Sequence, residues 1–259
     1  MIKRELTEGD DGQGKLVAED PSDLLQSAAA EVARWEDDGM RLVTVLDAEY
    51  PDNLRAVHDR PPLIFVAGTL QPTDCRSVAV VGARNASAEG LERAASIAGH
   101  LVDSGYTVVS GLAAGIDTAA HTATLAVGGR TVAVIGTGLA HTYPPQNTAL
   151  QRTIINRGAV VSQFWPEASP TRKSFPMRNA VMSGLTLGTV VVEASATSGA
   201  RVQARFSLAH GRSVFLAKSL LSQDWARELA DRPGAHAFAS ADEITRVIEH
   251  VTSTGSLLA

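Results

Sequence analysis

The chain has 259 residues, 44% hydrophobic and 20% charged, so it carries enough apolar material for a packed core and is not a disordered chain. No apolar run approaches the roughly 20 residues of a membrane span, the first eight residues lack the apolar stretch of a secretory signal, and the single cysteine, Cys75, excludes an intrachain disulfide or a cysteine-rich zinc site. The cytoplasm is therefore the expected compartment, with no membrane contact. The net charge of −5 hides an asymmetry: residues 76–218 carry thirteen basic and six acidic groups, whereas residues 1–40 carry four and eleven. A basic centre between acidic ends suits an anionic partner, or is a chance surface distribution.

Residues 1–20, rich in Glu, Asp and Gly, read as a disordered leader. Residues 21–75 read as a helix and lead-in strands. Apolar residues at Leu24, Leu25, Ala28, Ala29, Val32 and Trp35 recur at helical spacing, and Gly39 is a stop. Short strands are expected over 41–46 and 63–67, with Tyr50-Pro51 and Arg60-Pro61-Pro62 as loop signals between them. Residues 76–259 read as the main unit. Strand 77–81 leads through a turn at Gly82-Ala83-Arg84-Asn85 into a helix over 87–104, closed by Gly105. Strand 106–109, the turn 111–115, a helix over 117–127, strand 131–135 and Gly136-Thr137-Gly138 follow. Next come a helix over 148–156, strand 159–162, a Pro-rich loop over 164–177 and a helix over 178–185. Strand 187–193, a Ser/Thr-rich turn, a helix over 200–210, strand 213–217 and outer helices over 225–230 and 241–251 complete the chain. Strands alternating with helices predict an α/β fold: a doubly wound, mostly parallel, extended Rossmann-like sheet in a single domain. No repeat and no second globular domain is visible.

In such a sheet the turns that follow strands gather at one edge, where helix N-termini aim free N–H groups at a ligand. Four turns qualify, at Gly82–Asn85, Ser110–Gly115, Gly136–Gly138 and Ser198-Gly199. The dinucleotide fingerprint G-x-G-x-x-G is absent after the first of these strands, and the phosphate loop and the hydrolase elbow are absent too. Arg84 lies in the first turn, and Arg172, Lys173 and Arg178 surround Phe175. An aromatic ring among cations suits a stacked base with neutralised phosphates, the way single strands are held without sequence readout; alternatively, Phe175 anchors its loop in the core. Asp117 and His121, four apart on one helix, read as a cap and a structural hydrogen bond rather than catalytic groups. Glu193, ending a strand at the same edge, is expected to meet a base, a sugar hydroxyl or an arginine. His58, His100 and His141 show no metal-ligand spacing. No metal, cofactor or catalytic residue is expected.

Several ordered motifs resemble the DNA-processing protein A (DprA/Smf) family. They are Val80-Val81-Gly82-Ala83-Arg84, Val109-Ser110-Gly111-Leu112-Ala113-Ala114-Gly115-Ile116-Asp117, and Gly136-Thr137-Gly138-Leu139 with Tyr143-Pro144 and Asn147. Phe175-Pro176-Met177-Arg178-Asn179, Val191-Val192-Glu193-Ala194 with Ser198-Gly199, and Gly211-Arg212-Ser213-Val214-Phe215 complete the series. The resemblance covers roughly residues 41–218. It implies a homodimeric Rossmann-like domain that binds single-stranded DNA and loads the recombinase RecA in natural transformation. It also implies a DNA pocket of Arg84, Arg172, Phe175, Arg178 and Asn179, bordered by Ser110, Gly111, Gly115, Ser198 and Gly199, with Gly82, Lys173 and Glu193 at the same edge. The chain departs from the family's usual residues at Ala140, Gln163 and Ala180. Some members of the wider superfamily cleave nucleotide N-glycosidic bonds, so a small-nucleotide sensor or hydrolase is the alternative. The Pro-Gly-Gly-x-Gly-Thr run of those enzymes is missing here.

Overall fold

The computed structural model describes residues 21–255, and the leader expected over 1–20 lies outside them. One nine-stranded sheet organises the chain. Its strands are β1 (Met40–Thr44), β2 (Leu63–Gly68), β3 (Ser77–Val81), β4 (Thr107–Ser110), β5 (Thr131–Val134), β6 (Ala159–Ser162), β7 (Gly188–Val191), β8 (Ser213–Ala217) and β9 (Ala235–Phe238). Their spatial order is β1-β2-β6-β5-β4-β3-β7-β8-β9. From β6 to β9 every pairing is parallel, while β1 and β2 add on antiparallel beside β6. The chain winds outward from β3 through β4, β5 and β6, then returns to the far side of β3 for β7, β8 and β9. The fold is thus α/β and doubly wound, and its strand order reverses between β3 and β7, where such sheets open a crevice at their carboxyl ends.

Every residue of β3 through β8 is buried, as expected of parallel strands covered on both faces. The covering helices are α1 (Pro21–Asp37), the short α2 (Asp52–Arg55), α3 (Ala88–Asp103), α4 (Ile116–Ala126), α5 (Thr148–Arg157), α6 (Ser174–Leu185), α7 (Gly199–Ala209), α8 (Asp224–Ala230) and α9 (Ala241–Gly255). α3 shows why they form. Ser87 Oγ accepts from Gly90 N at 3.0 Å as an N-cap, and Ala94, Ile97, Ala98 and Leu101 make one buried face. Gly105, at φ +75°, turns the chain out beyond the helix end. A second apolar cluster under β1, β2 and β6 gathers Trp35, Phe65 and Ile154, with the Trp35 ring edge-on to Phe65 at 5.2 Å.

Two local expectations change. α6 begins at Ser174 rather than at 178, so Phe175, Pro176 and Met177 belong to a helical first turn. A proline is tolerated there because its missing N–H would have no intrahelical partner. The sequence reading also had no counterpart for α2 or for the edge strand β9.

Candidate functional site

The crevice forms where the chain leaves β3 and β7. The turn after β3 packs backbone to backbone against its neighbours. Ala83 N donates to Glu193 O at 2.6 Å, and Ile116 N donates to Ala83 O at 3.2 Å. A Cβ on Gly82 would lie 2.8 Å from Glu193 O, and one on Gly115, which sits at φ +79°, would lie 2.3 Å from Ala83 O. These glycines are therefore needed for close approach. The adjoining loop carries Leu112 at φ +56°, a left-handed conformation that costs energy for a bulky residue. Two side chains hold it there. Asp117 Oδ2 accepts from Gly111 N at 3.1 Å and Ala113 N at 3.4 Å, and Asn147 Nδ2 donates to Leu112 O and Thr118 Oγ1, both at 2.9 Å. Asp117 thus organises the loop ahead of α4.

Arg178 forms the floor. It is 7% exposed, and its Nη1 donates to Gly111 O at 2.5 Å and Val134 O at 2.7 Å while Nε donates to Asn179 Oδ1 at 3.0 Å. This cation spans the ends of β4 and β5 from α6, and three of its five N–H donors are committed to carbonyl oxygens. Burial pulls its guanidinium below the ordinary range, opposed by the charge of Asp117. Burial likewise pushes the Asp117 carboxyl up, opposed by Arg178 and by the two backbone N–H groups. His121 behind them is buried, its Nδ1 2.7 Å from Thr131 Oγ1, and burial drives its imidazole down to about 3.

Above the floor lie two lobes, of ≈ 740 Å³ and ≈ 540 Å³, that share Arg84, Ala113, Phe175 and Arg178 as a common wall. The larger is bordered by Gly82, Asn179, Glu193, Ser198 and Gly199, the smaller by Gly111, Gly115, Gly136, Thr137 and Tyr143. At their junction the exposed Arg84 guanidinium lies over the half-buried Phe175 ring, 5.1 Å from its centroid. Tyr143 stands 5.6 Å from Phe175 and is 41% exposed.

The residues singled out from the sequence divide accordingly. Gly82, Arg84, Gly111, Gly115, Phe175, Arg178, Asn179, Glu193, Ser198 and Gly199 line the two lobes. Ser110 does not, because its hydroxyl is buried and donates to Val80 O at 2.6 Å. Arg172 and Lys173 are exposed on the turn leading into α6, outside both linings. Glu193 meets neither arginine nor open space alone. Its carboxylate accepts from Ser87 Oγ at 2.6 Å and from Ser87 N at 3.2 Å. Ser198 caps α7 by accepting from Ala200 N at 3.2 Å, and Asn179 Nδ2 donates to Gly199 O at 3.3 Å. Sequence reasoning left Tyr143, Asn147 and Gln223 out of the site. Tyr143 carried a readable signal, an aromatic residue following the third glycine turn. Gln223, which lines the larger lobe and donates to Ala194 O at 2.8 Å, carried none.

A doubly wound sheet with an open crevice at its strand-order reversal defines a Rossmann-like binding domain. Residues 41–249 match the family model described as DNA recombination-mediator protein A. The DNA processing protein DprA of Bacillus subtilis is 32% identical over 216 residues, 82% of this chain and 73% of that protein. The DprA of Streptococcus pneumoniae is 41% identical over 172 residues, 66% of this chain and 61% of that protein. A crystal structure of the pneumococcal protein overlays with a TM-score of 0.74 at 34% identity, covering 89% of this chain and 83% of that one. A DNA processing protein A from Helicobacter pylori shares the fold, with a TM-score of 0.70 at 22% identity over 82% of this chain and 96% of that one. The chain belongs to the DNA recombination-mediator protein A family. Its matches span 45% of the Synechocystis protein Smf and 61% of pneumococcal DprA.

Proposed function

We propose that this chain binds single-stranded DNA in the two-lobed cleft, without chemical turnover, and serves as a recombination mediator that delivers the strand to RecA as a homodimer. The observation that carries this reading is Arg84 lying against Phe175 at the junction of the lobes. A cation and an aromatic ring side by side offer one phosphate contact and one stacking face, the pairing that holds single strands irrespective of sequence. Family membership supports the same reading, as does the single-stranded DNA binding described for the H. pylori protein of like fold. The hydrolase alternative is not favoured: Glu193 and Asp117, the carboxylates at this edge, are both engaged by N–H or O–H donors of the protein itself.

Three exposed cations, Arg84, Arg172 and Lys173, stand at or beside the cleft, while Arg178 is occupied below. For single strands each phosphate contact contributes about −0.7 to the log–log salt slope, so titration of a fluorescent dT oligonucleotide should give a slope of roughly −2. Phe175→Ala should weaken binding by about 1–3 kcal/mol with little dependence on base, and Arg84→Ala should weaken it further at low salt than at high. A slope near zero, or release of free base from nucleotides that disappears in Glu193→Gln, would overturn the reading.

A further inference from the structure

Among the described residues, one group of three metal-ligating side chains is close enough to share an ion: His58, Asp59 and His210. It lies well away from the cleft. α7 begins at the larger lobe with Gly199, and His210 follows its last residue, about 16 Å farther along the helix axis. His58 and Asp59 form an exposed turn between α2 and β2, and the His210 side chain beneath them is fully buried. Chain spacing gave no hint of the group, because more than 150 residues separate the turn from His210.

The geometry around His210 is that of a held ligand. Nε2 faces Asp59 Oδ1 at 2.7 Å, and the His58 ring stands edge-on to the His210 ring at 5.6 Å. One ring nitrogen from each histidine and a carboxylate oxygen lie within 4.8 Å of one another. On its other side, Nδ1 is 2.7 Å from Ser183 Oγ, which lies 3.0 Å from Ala180 O. Without an ion, Nε2–H donates to Asp59 across the 2.7 Å contact; with one bound, Nδ1–H would donate to Ser183 and Ser183 to Ala180, freeing the Nε2 lone pair for the ion. That is the outer-sphere arrangement that fixes the tautomer of a metal-bound histidine. The order Ser183–His210–Asp59 also resembles that of a hydrolase triad, but Ser183 is fully buried and cannot present a nucleophile. The position after the last residue of α7 adds the negative end of a helix dipole, which favours a cation.

We propose that His58, Asp59 and His210 bind one divalent ion of the zinc type. Two imidazoles and a carboxylate are a donor set suited to zinc, with water completing a tetrahedron. Metal–ligand distances of about 2.0–2.2 Å require ligand atoms roughly 3.3 Å apart. The Nε2–Oδ1 pair must therefore open slightly and His58 swing inward, movements that an exposed two-residue turn permits. The ion would clip the segment between α2 and β2 to the end of α7 and, through Ser183, to α6.

The test is titration of chelator-stripped protein with Zn²⁺ by calorimetry, alongside Co²⁺ absorption spectra and melting curves. The expected results are one ion per chain at low-micromolar affinity or tighter, the visible bands of tetrahedral Co²⁺, and a melting temperature raised by Zn²⁺. Because His210 is buried and its replacement risks misfolding, the deciding variants are His58→Ala and Asp59→Asn on the exposed turn. Each should lower affinity about tenfold or more, and His58→Ala should lose the cobalt bands and the thermal shift. Absence of saturable one-to-one binding would overturn the proposal, as would binding and thermal shift that persist unchanged in both variants. The pair would then be a hydrogen bond only, and any bound zinc a general property of surface histidines.

Discussion

At Gly115 a single hydrogen atom decides whether two loops can meet. The residue sits at φ +79°, and an added Cβ would fall 2.3 Å from Ala83 O and 2.6 Å from Arg84 O. Both obstacles are backbone, so no side chain can swing clear. Gly115→Ala should cost roughly 2–3 kcal/mol of stability from the left-handed conformation and the forced loop shift. It should also displace Arg84 and weaken oligonucleotide binding; urea denaturation and the dT titration measure the two effects. His121 makes a pH prediction. Burial holds it near 3, against an ordinary 6.5, so below 6.5 the unfolded chain binds a proton that the folded chain refuses. Stability then falls as pH drops from 6.5 toward 3, by up to about 1.4 kcal/mol per pH unit. Asp117, pushed up by burial, works oppositely, since its folded carboxyl keeps a proton that the unfolded one has lost. The isolating comparison is His121→Asn, whose melting temperature should decline less steeply toward acid; parallel declines would exclude His121 as the source. Of these residues, the sequence made the glycine turns legible and singled out Arg84 and Phe175 separately; the cations it set around Phe175 were Arg172, Lys173 and Arg178, and it did not show that Arg84, from the first turn, lies over the ring. It could not reveal Arg178 as a floor. An arginine that donates to Gly111 and Val134 carbonyls reads, in one dimension, like one that awaits a phosphate.

Elements meet the site through their ends. Glu193 follows β7, yet its carboxylate grips Ser87, the N-cap of α3. A negative group at a helix N-terminus is favourable twice, by hydrogen bonding and by the dipole. Ser87→Ala removes the acceptor for Gly90 N and the donor to Glu193 together, and should cost about 1–2 kcal/mol. In Glu193→Gln the further loss from Ser87→Ala should shrink, because the two residues share one interaction. A double-mutant cycle by chemical denaturation measures that coupling, and strictly additive effects would mean the contact is unimportant in solution. Strand and helix identities were legible where patterns were clear, as in α3 and in β3, which is apolar after Ser77. They were not legible where tertiary context decides, as for α6, whose Ser174 start lies ahead of a proline, and for the four-residue β9, whose half-exposed pattern carries no strong period.

At the scale of the molecule, the sheet reverses its winding between β3 and β7, and this placed the cleft without any single residue announcing it. The sequence pattern of strands and helices predicted a doubly wound sheet. It did not show that β1 and β2 would join the same sheet, since strand pairing across ninety residues depends on shape rather than on local propensity. That junction has a practical side. β2 hydrogen-bonds along the outer side of β6, Phe65 to Gly68 against Ser162 to Ala159. A shortened chain starting at Arg76 would keep every glycine turn of the cleft yet leave the β6 backbone with a row of unsatisfied donors and acceptors. It would also uncover Ile154 and Val160, which now lie in the cluster with Trp35 and Phe65. A bare, apolar edge strand is a template for other copies. Such a chain should therefore scatter light and bind amyloid-sensitive dyes under conditions that leave the full chain clear. If it stays as well dispersed as the full chain, β1 and β2 are dispensable to colloidal behaviour. Otherwise, the lead-in segment is what keeps this sheet from recruiting its neighbours.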